Sequence, residues 1–101
     1  MLKVNLIKGG DSGTIMLEGS INSDNAPELQ KKLLGDVAPR FQHLTLDLAK
    51  VPYVSSAGLR VLKVLYRTMT EKQGDMKLKN VREDVMSVFR ITGFVRLFEC
   101  E

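Results

Sequence analysis

LTLDLAKVPYVSSAGLRVLKVLY, residues 44–66, is the stretch from which the rest of the chain can be read. Leu44, Leu46 and Leu48 alternate with Thr45 and Asp47, the period-two pattern of a half-buried strand. Pro52 stops that pattern, because a proline has no N–H to give to a strand ladder. After Tyr53 and Val54 come Ser55, Ser56, Ala57 and Gly58. From there Leu59, Leu62, Leu65, Tyr66 and Met69 recur at helical spacing, so the chain passes from strand to amphipathic helix. Ser55 and Ser56 stand at the helix start. Backbone N–H groups there lack intrahelical partners and the positive end of the helix dipole is exposed, so the junction suits an anion.

Working outward, Leu2, Val4 and Leu6 alternate with Lys3 and Asn5 as a first strand, and Thr14 to Glu18 reads as a second. The Gly9-Gly10-Asp11-Ser12-Gly13 cluster between them predicts a hairpin with a rather long loop. Gly19 to Asn22 has room for one short further strand. Asn25 precedes Glu28 by three residues, the spacing of a capping box. The helix expected there carries Leu29, Leu33, Leu34 and Val37 on one side and frays at Gly35 and Pro39.

Downstream of the central helix, Gly74 is expected to close it, and Met76 to Lys79 alternates as another strand. A third helix is predicted from about Arg82, with Val81, Val85, Val88, Phe89 and Thr92 on its apolar side and Gly93 as its C-cap. Arg96 to Glu99 forms a last strand or a docked tail. A strand, a helix and a strand in that order make a unit whose strands run parallel. The expected class is therefore α/β: one domain over residues 1–101, with a mixed sheet of four to five strands and three or more helices packed on it.

Composition narrows the function. Of 101 residues, 44% are hydrophobic and 27% charged, the balance of an ordinary globular domain. No apolar run approaches the roughly 20 residues needed to span a bilayer, and no signal peptide is read at the start. The single cysteine, Cys100, permits no internal disulfide, so a reducing, cytoplasmic setting is expected. A net charge of +3, with cations interspersed among acids, does not call for nucleic acid as partner.

The inventory for catalysis is poor. His43 is the only histidine and has no cysteine beside it, so it reads as an ordinary residue entering a strand; neither a metal site nor a serine–histidine triad is expected. Asp47 reads as a solvated or capping carboxylate, and the scattered acids form no acid/base couple. The glycines at positions 9, 10 and 13 lack the spacing and the Lys-Ser or Lys-Thr pair of a phosphate loop. No cofactor is implied. One serine at a helix start is explained by capping, but two followed by Ala57 and Gly58 are not, because glycine weakens a first helical turn. Small residues around a hydroxyl leave it reachable by another protein or an enzyme, so the residues alone leave open both a plain helix cap and a functional serine at this start. Arg60, Lys63 and Arg67 form one stripe along the same helix, starting one turn beyond Ser56, and border this junction.

The run LDLAKVPYVSSAGLRVL resembles the STAS domain, and within it the small bacterial anti-sigma factor antagonists. Ser56, Ala57, Gly58 and Leu59 match the family's serine–small–glycine–leucine opening of a helix, while Ser55 stands where an aspartate is usual. The resemblance implies a protein-binding module that is not an enzyme. Unphosphorylated, it would hold an anti-sigma factor that is also a serine kinase and so free a sigma factor. Phosphorylation of Ser56 would break the complex, and a phosphatase would restore it. The implied binding face joins Ser55, Ser56, Ala57, Gly58, Arg60 and Lys63 to the Ser20–Asn25 segment, with Ser20 and Asn22 beside the helix start. The alternatives are a STAS subunit of another assembly, such as a lipid transporter or a stress-signalling complex, or a small nucleotide-binding protein.

Overall fold

The computed structural model describes residues 2–93 and the backbone of residues 99–100. Strand β1 (Lys3–Gly9) pairs antiparallel with β2 (Ser12–Glu18). Helix α1 (Ala26–Lys32) leads to β3 (His43–Lys50), α2 (Ser56–Glu71) to β4 (Asp75–Lys79), and α3 (Glu83–Thr92) to the two-residue β5 (Glu99–Cys100). The sheet order is β1-β2-β3-β4-β5, and every pair after the hairpin is parallel, as three helical crossovers require. Of the closing segment read from the sequence, Arg96 to Phe98 lie outside the described residues.

Register puts the apolar alternates of four strands in rows. Leu6, Ile15, Leu46 and Leu78 are neighbours across the sheet, and Leu44 lies beside Met76. All but Leu6 are buried, whereas the intervening positions Thr14, Thr45 and Lys77, and Met16, Asp47 and Lys79, are open to solvent to varying degrees. One sheet face is therefore the core and the other is wet. The helices fill the core face with Leu29 from α1, with Val61, Leu62, Leu65 and Met69 from α2, and with Val85 and Phe89 from α3. Thr92, expected on the apolar side of α3, is exposed and donates its hydroxyl to Val88 O.

Three local expectations are corrected by packing. The hairpin loop is only Gly10 and Asp11, because Gly9 pairs with Ser12 and Gly13 is held in the ladder under the Phe41 ring. Helix α1 does not fray at Gly35; it widens into a π-helical turn, Leu33–Val37, that keeps Leu33 and Val37 buried. Helix α2 ends at Glu71, before Gly74, and Gln73 supplies the left-handed residue at φ 64°. Gly74 answers a different need: a Cβ there would run into the backbone carbonyl of Gln42. Gly93 caps α3 in the left-handed region, φ 76°, as read.

The end of α2 is tied to the loop that follows the π turn. Lys72 Nζ donates to Ala38 O at 2.7 Å and to Phe41 O at 2.9 Å, and Gln42 Nε2 donates to Gln73 O at 2.6 Å. Hydrogen bonds from a charged donor contribute about 1.5–3 kcal/mol net. Lys72→Met keeps the stem and removes the donors, so urea unfolding should report a loss of about 1–3 kcal/mol. A midpoint unchanged from wild type would show that water replaces the ammonium at no cost.

Candidate functional site

The site begins where two loops meet. After β3, Val51 N donates to Leu48 O at 3.0 Å and turns the chain towards α2. After β2, Gly19 N donates to Lys50 O at 2.9 Å, and the chain then runs alongside the Val51–Ser55 loop. Ile21 N donates to Tyr53 O at 2.9 Å, and Ser55 N donates to Ile21 O at 2.8 Å. These bonds make an isolated parallel bridge between Ile21 and Val54, whose side chains are both buried. The short strand foreseen at Gly19–Asn22 is this single bridge.

Ser55 and Ser56 divide the labour. Ser55 is extended, at φ −79° and ψ 173°; its Oγ accepts from Gly58 N at 3.1 Å and its carbonyl accepts from Leu59 N at 2.9 Å. It is 9% exposed, and its hydroxyl is engaged in the helix cap. Ser56, the first helical residue, is exposed, and among the described residues nothing holds its hydroxyl. Ala57 is half-buried. No acidic residue occupies the first turn of α2, so nothing there offsets the dipole's positive end.

Gly58 is not part of an open apron. It is buried, and a Cβ built on it would lie 2.7 Å from Ile21 Cγ2 and 2.9 Å from Val54 Cγ1. The close approach that the glycine serves comes from the chain's own Ile21 and Val54. The capping box at Asn25 is also absent: Asn25 occupies the N-cap position of α1 but its side chain does not cap it. Its Oδ1 accepts from Asn22 N at 2.9 Å and its Nδ2 donates to Ser20 O at 2.9 Å. Asn22 Oδ1 in turn accepts from Asp24 N and Asn25 N at 2.9 and 3.0 Å. Two asparagines thus close the Ser20–Asn25 loop on itself, beside the helix start to which Ile21 binds it.

Two features join the predicted residues. Tyr53, in the loop before the cap, is 53% exposed, a large aromatic beside Ser55 that alternation alone does not single out. Arg60, Lys63 and Arg67 are exposed and, with Ser56, Leu59, Val64 and Thr92, line a groove of about 380 Å³. Among the described residues no acid pairs with any of the three cations, and no group of His, Cys, Asp or Glu could hold a metal. Asp47 caps no helix; its carboxylate accepts from Ala49 N and Asn80 Nδ2.

The pattern of one family, the STAS domain, matches residues 4–101. The chain belongs to the STAS domain family. BtrV of Bordetella bronchiseptica, provisionally named an anti-sigma factor antagonist, is 37% identical over 82 residues, 81% of this chain and 71% of that protein. The anti-sigma-B factor antagonist of Bacillus subtilis is 32% identical over 79 residues, 78% of this chain and 72% of that protein. Among solved structures, an anti-sigma factor antagonist from Mycobacterium paratuberculosis superposes with a TM-score of 0.87 at 20% identity, over 99% of this chain and 85% of that one. The Bacillus antagonist SpoIIAA superposes at 15% identity in its unphosphorylated form, TM-score 0.82, over 98% of this chain and 88% of that one. Its phosphorylated form gives 0.76 at 14% identity, over 98% and 91%. In this STAS domain no helix among the described residues is long and apolar enough to cross a membrane.

The Ile21 contact sets the sign of one substitution. Gly58→Ala gains up to about 1 kcal/mol of helix propensity but overpacks Ile21 and Val54 at a cost of about 1–3 kcal/mol. The variant should therefore be less stable than wild type by chemical denaturation. A gain in stability would mean that Ile21 moves aside freely and that Gly58 is open to a partner after all.

Proposed function

We propose that this STAS domain is an anti-sigma factor antagonist, a cytoplasmic binding module switched by phosphate on Ser56 and without catalysis of its own. In the unphosphorylated state it holds an anti-sigma factor that is also a serine kinase, and so frees the sigma factor. A phosphatase acting on phosphorylated Ser56 resets it. The observation that carries this reading is the contrast between the two serines: Ser55 buried in its cap, Ser56 exposed and unheld at the first position of α2. The two relatives' names and the existence of SpoIIAA in both phosphorylation states support the same reading. Ser55, standing where the family usually has an aspartate, caps α2 and leaves Ser56 free for the kinase.

Phosphate adds about −1.5 to −2 charge at pH 7. At a helix N-terminus that charge is stabilised by on the order of 0.3–1 kcal/mol. Arg60, one turn along and without an acidic partner among the described residues, supplies a charge-assisted contact when its side chain folds back. The phosphorylated domain therefore stays folded. The complex breaks at the partner's surface, where a dianion must be excluded, repelled or desolvated.

Incubation with the cognate kinase and ATP should add one phosphate, located on Ser56 by peptide mass spectrometry. Ser56→Ala should bind the kinase and resist release by ATP. Ser56→Asp should bind poorly while its melting temperature moves by less than about 4 °C, under 1 kcal/mol for a domain of this size. Phosphate on Ser55, or loss of binding only through unfolding, would overturn the mechanism.

A further inference from the structure

The outer edge of the sheet is open at β1, which among the described residues pairs with β2 alone. Its seven residues run in register with β2 without a bulge, and it holds no proline. Edges that stay single are commonly blunted by a bulge, a proline or a charge that points inward. By alternation the inward positions here are Leu2, Val4 and Leu6, and the inward Lys8 stands at the far end. Val4 and Leu6 are only half-buried, although their β2 neighbours Leu17 and Ile15 are buried. The apolar row therefore reaches the edge before it is covered.

Beside that edge a trough of about 410 Å³ separates β1 from α1, with Leu2, Val4 and Leu29 in its lining. Asp24 and Glu28 stand on it at the start of α1, and Lys32 at the end. All three are exposed, and among the described residues none has an ionic partner. An isologous interface needs a patch that is complementary to itself, and a helix acidic at one end and basic at the other meets that need when its copy runs antiparallel. Register agrees with the charges. Side chains keep to their own faces only when opposed residues are both even or both odd in number. Centring an antiparallel pair of β1 strands on Val4 opposes Val4 to itself, Leu2 to Leu6 and Lys3 to Asn5. No like charges meet, and the apolar row continues from one sheet into the next. An unrelated strand would gain the same backbone bonds, but a second copy brings the matching charges with it.

We propose that a second copy of this chain docks antiparallel on β1, joining the two sheets edge to edge and setting Glu28 of each α1 against Lys32 of the other. A two-fold axis perpendicular to the sheet, at the β1 edge, turns both the strand and the helix in this way. Ser56 and the α2 residues after it line no part of the trough, so the interface is separate from the serine assigned to the switch.

Sedimentation equilibrium on the full chain, from about 10 µM to 1 mM, reads the association. The average mass should rise from 11.3 kDa toward twice that value, and the amide resonances of Lys3 to Leu6 should shift with concentration. Glu28→Lys and Lys32→Glu should each raise the dissociation constant at least about tenfold, because each opposes like charges twice across the axis. Both positions are exposed, so circular dichroism should show both variants folded. An equimolar mixture of the two variants should associate as tightly as wild type, since every opposed pair is then of unlike charge. A chain that stays monomeric throughout, a dimer indifferent to both substitutions, or a mixture no tighter than its components would overturn the proposal. So would β1 resonances that move only when a different protein is added, because the edge would then serve that partner and not a second copy. None of these readings depends on the antagonist function, so the two proposals stand or fall apart.

Discussion

The parallel bridge between Ile21 and Val54 joins the exit of β2 to the start of α2, and the geometry of the site depends on it. Its two backbone bonds use the N–H groups of Ile21 and Ser55, which burial would otherwise leave without acceptors. Its two side chains press on Gly58 and allow no Cβ there. Burying an isoleucine or valine side chain contributes about 1.5–3 kcal/mol, so the contact is strong enough to hold two loops that lack regular structure. Ser56 is thereby positioned by the core. Its hydroxyl is presented on a frame made of Ser55, Ile21 and Val54, and the Asn22–Asn25 hydrogen bonds set the shape of the neighbouring loop.

Strands and helices were legible because each carries its own period. Leu44, Leu46 and Leu48 announce β3, and the leucines of α2 announce a helix whose start lies where the two serines were read. What one-dimensional reading missed depends on partners far away in sequence. Gly58 in a helical pattern is equally consistent with an outside visitor or an inside neighbour, and only the fold brings Ile21 against it. Gly74 looked like a helix stop, yet the chain turns on Gln73, and Gly74 is required by the Gln42 carbonyl. The asparagine at position 25 had the spacing of a cap but spends its side chain on Ser20 and Asn22. Five turn-forming residues suggested a long hairpin loop, and the ladder absorbs three of them.

Charge is distributed so that the two ends of the parallel strands differ. At the start of β3, His43 Nδ1 lies 2.6 Å from Asp75 Oδ2, and Asp11 of the hairpin turn is 4.0 Å from Nε2. These exposed contacts tie three neighbouring strands together and account for the lone histidine without chemistry. At the other end, past β3, the α2 start carries no acid in its first turn and three cations along its exposed side. The same helix therefore buries its leucines to hold the sheet and offers a positive start and a positive flank to whatever docks. The buried residues of α2 and its exposed Ser56 lie on opposite faces of one element, which is why a charge added at Ser56 need not disturb the core.

That independence of switch and fold is the central claim, and amide hydrogen exchange before and after phosphorylation of Ser56 tests it most directly. The amides of Ile21, Ser55, Gly58 and Leu59 report the bridge and the cap one bond at a time. Their protection should be unchanged or greater in the phosphorylated protein, as a dianion at the dipole's positive end requires. A loss of protection at Ile21 and Ser55 on phosphorylation would show that the switch works by opening the bridge, and would contradict the account.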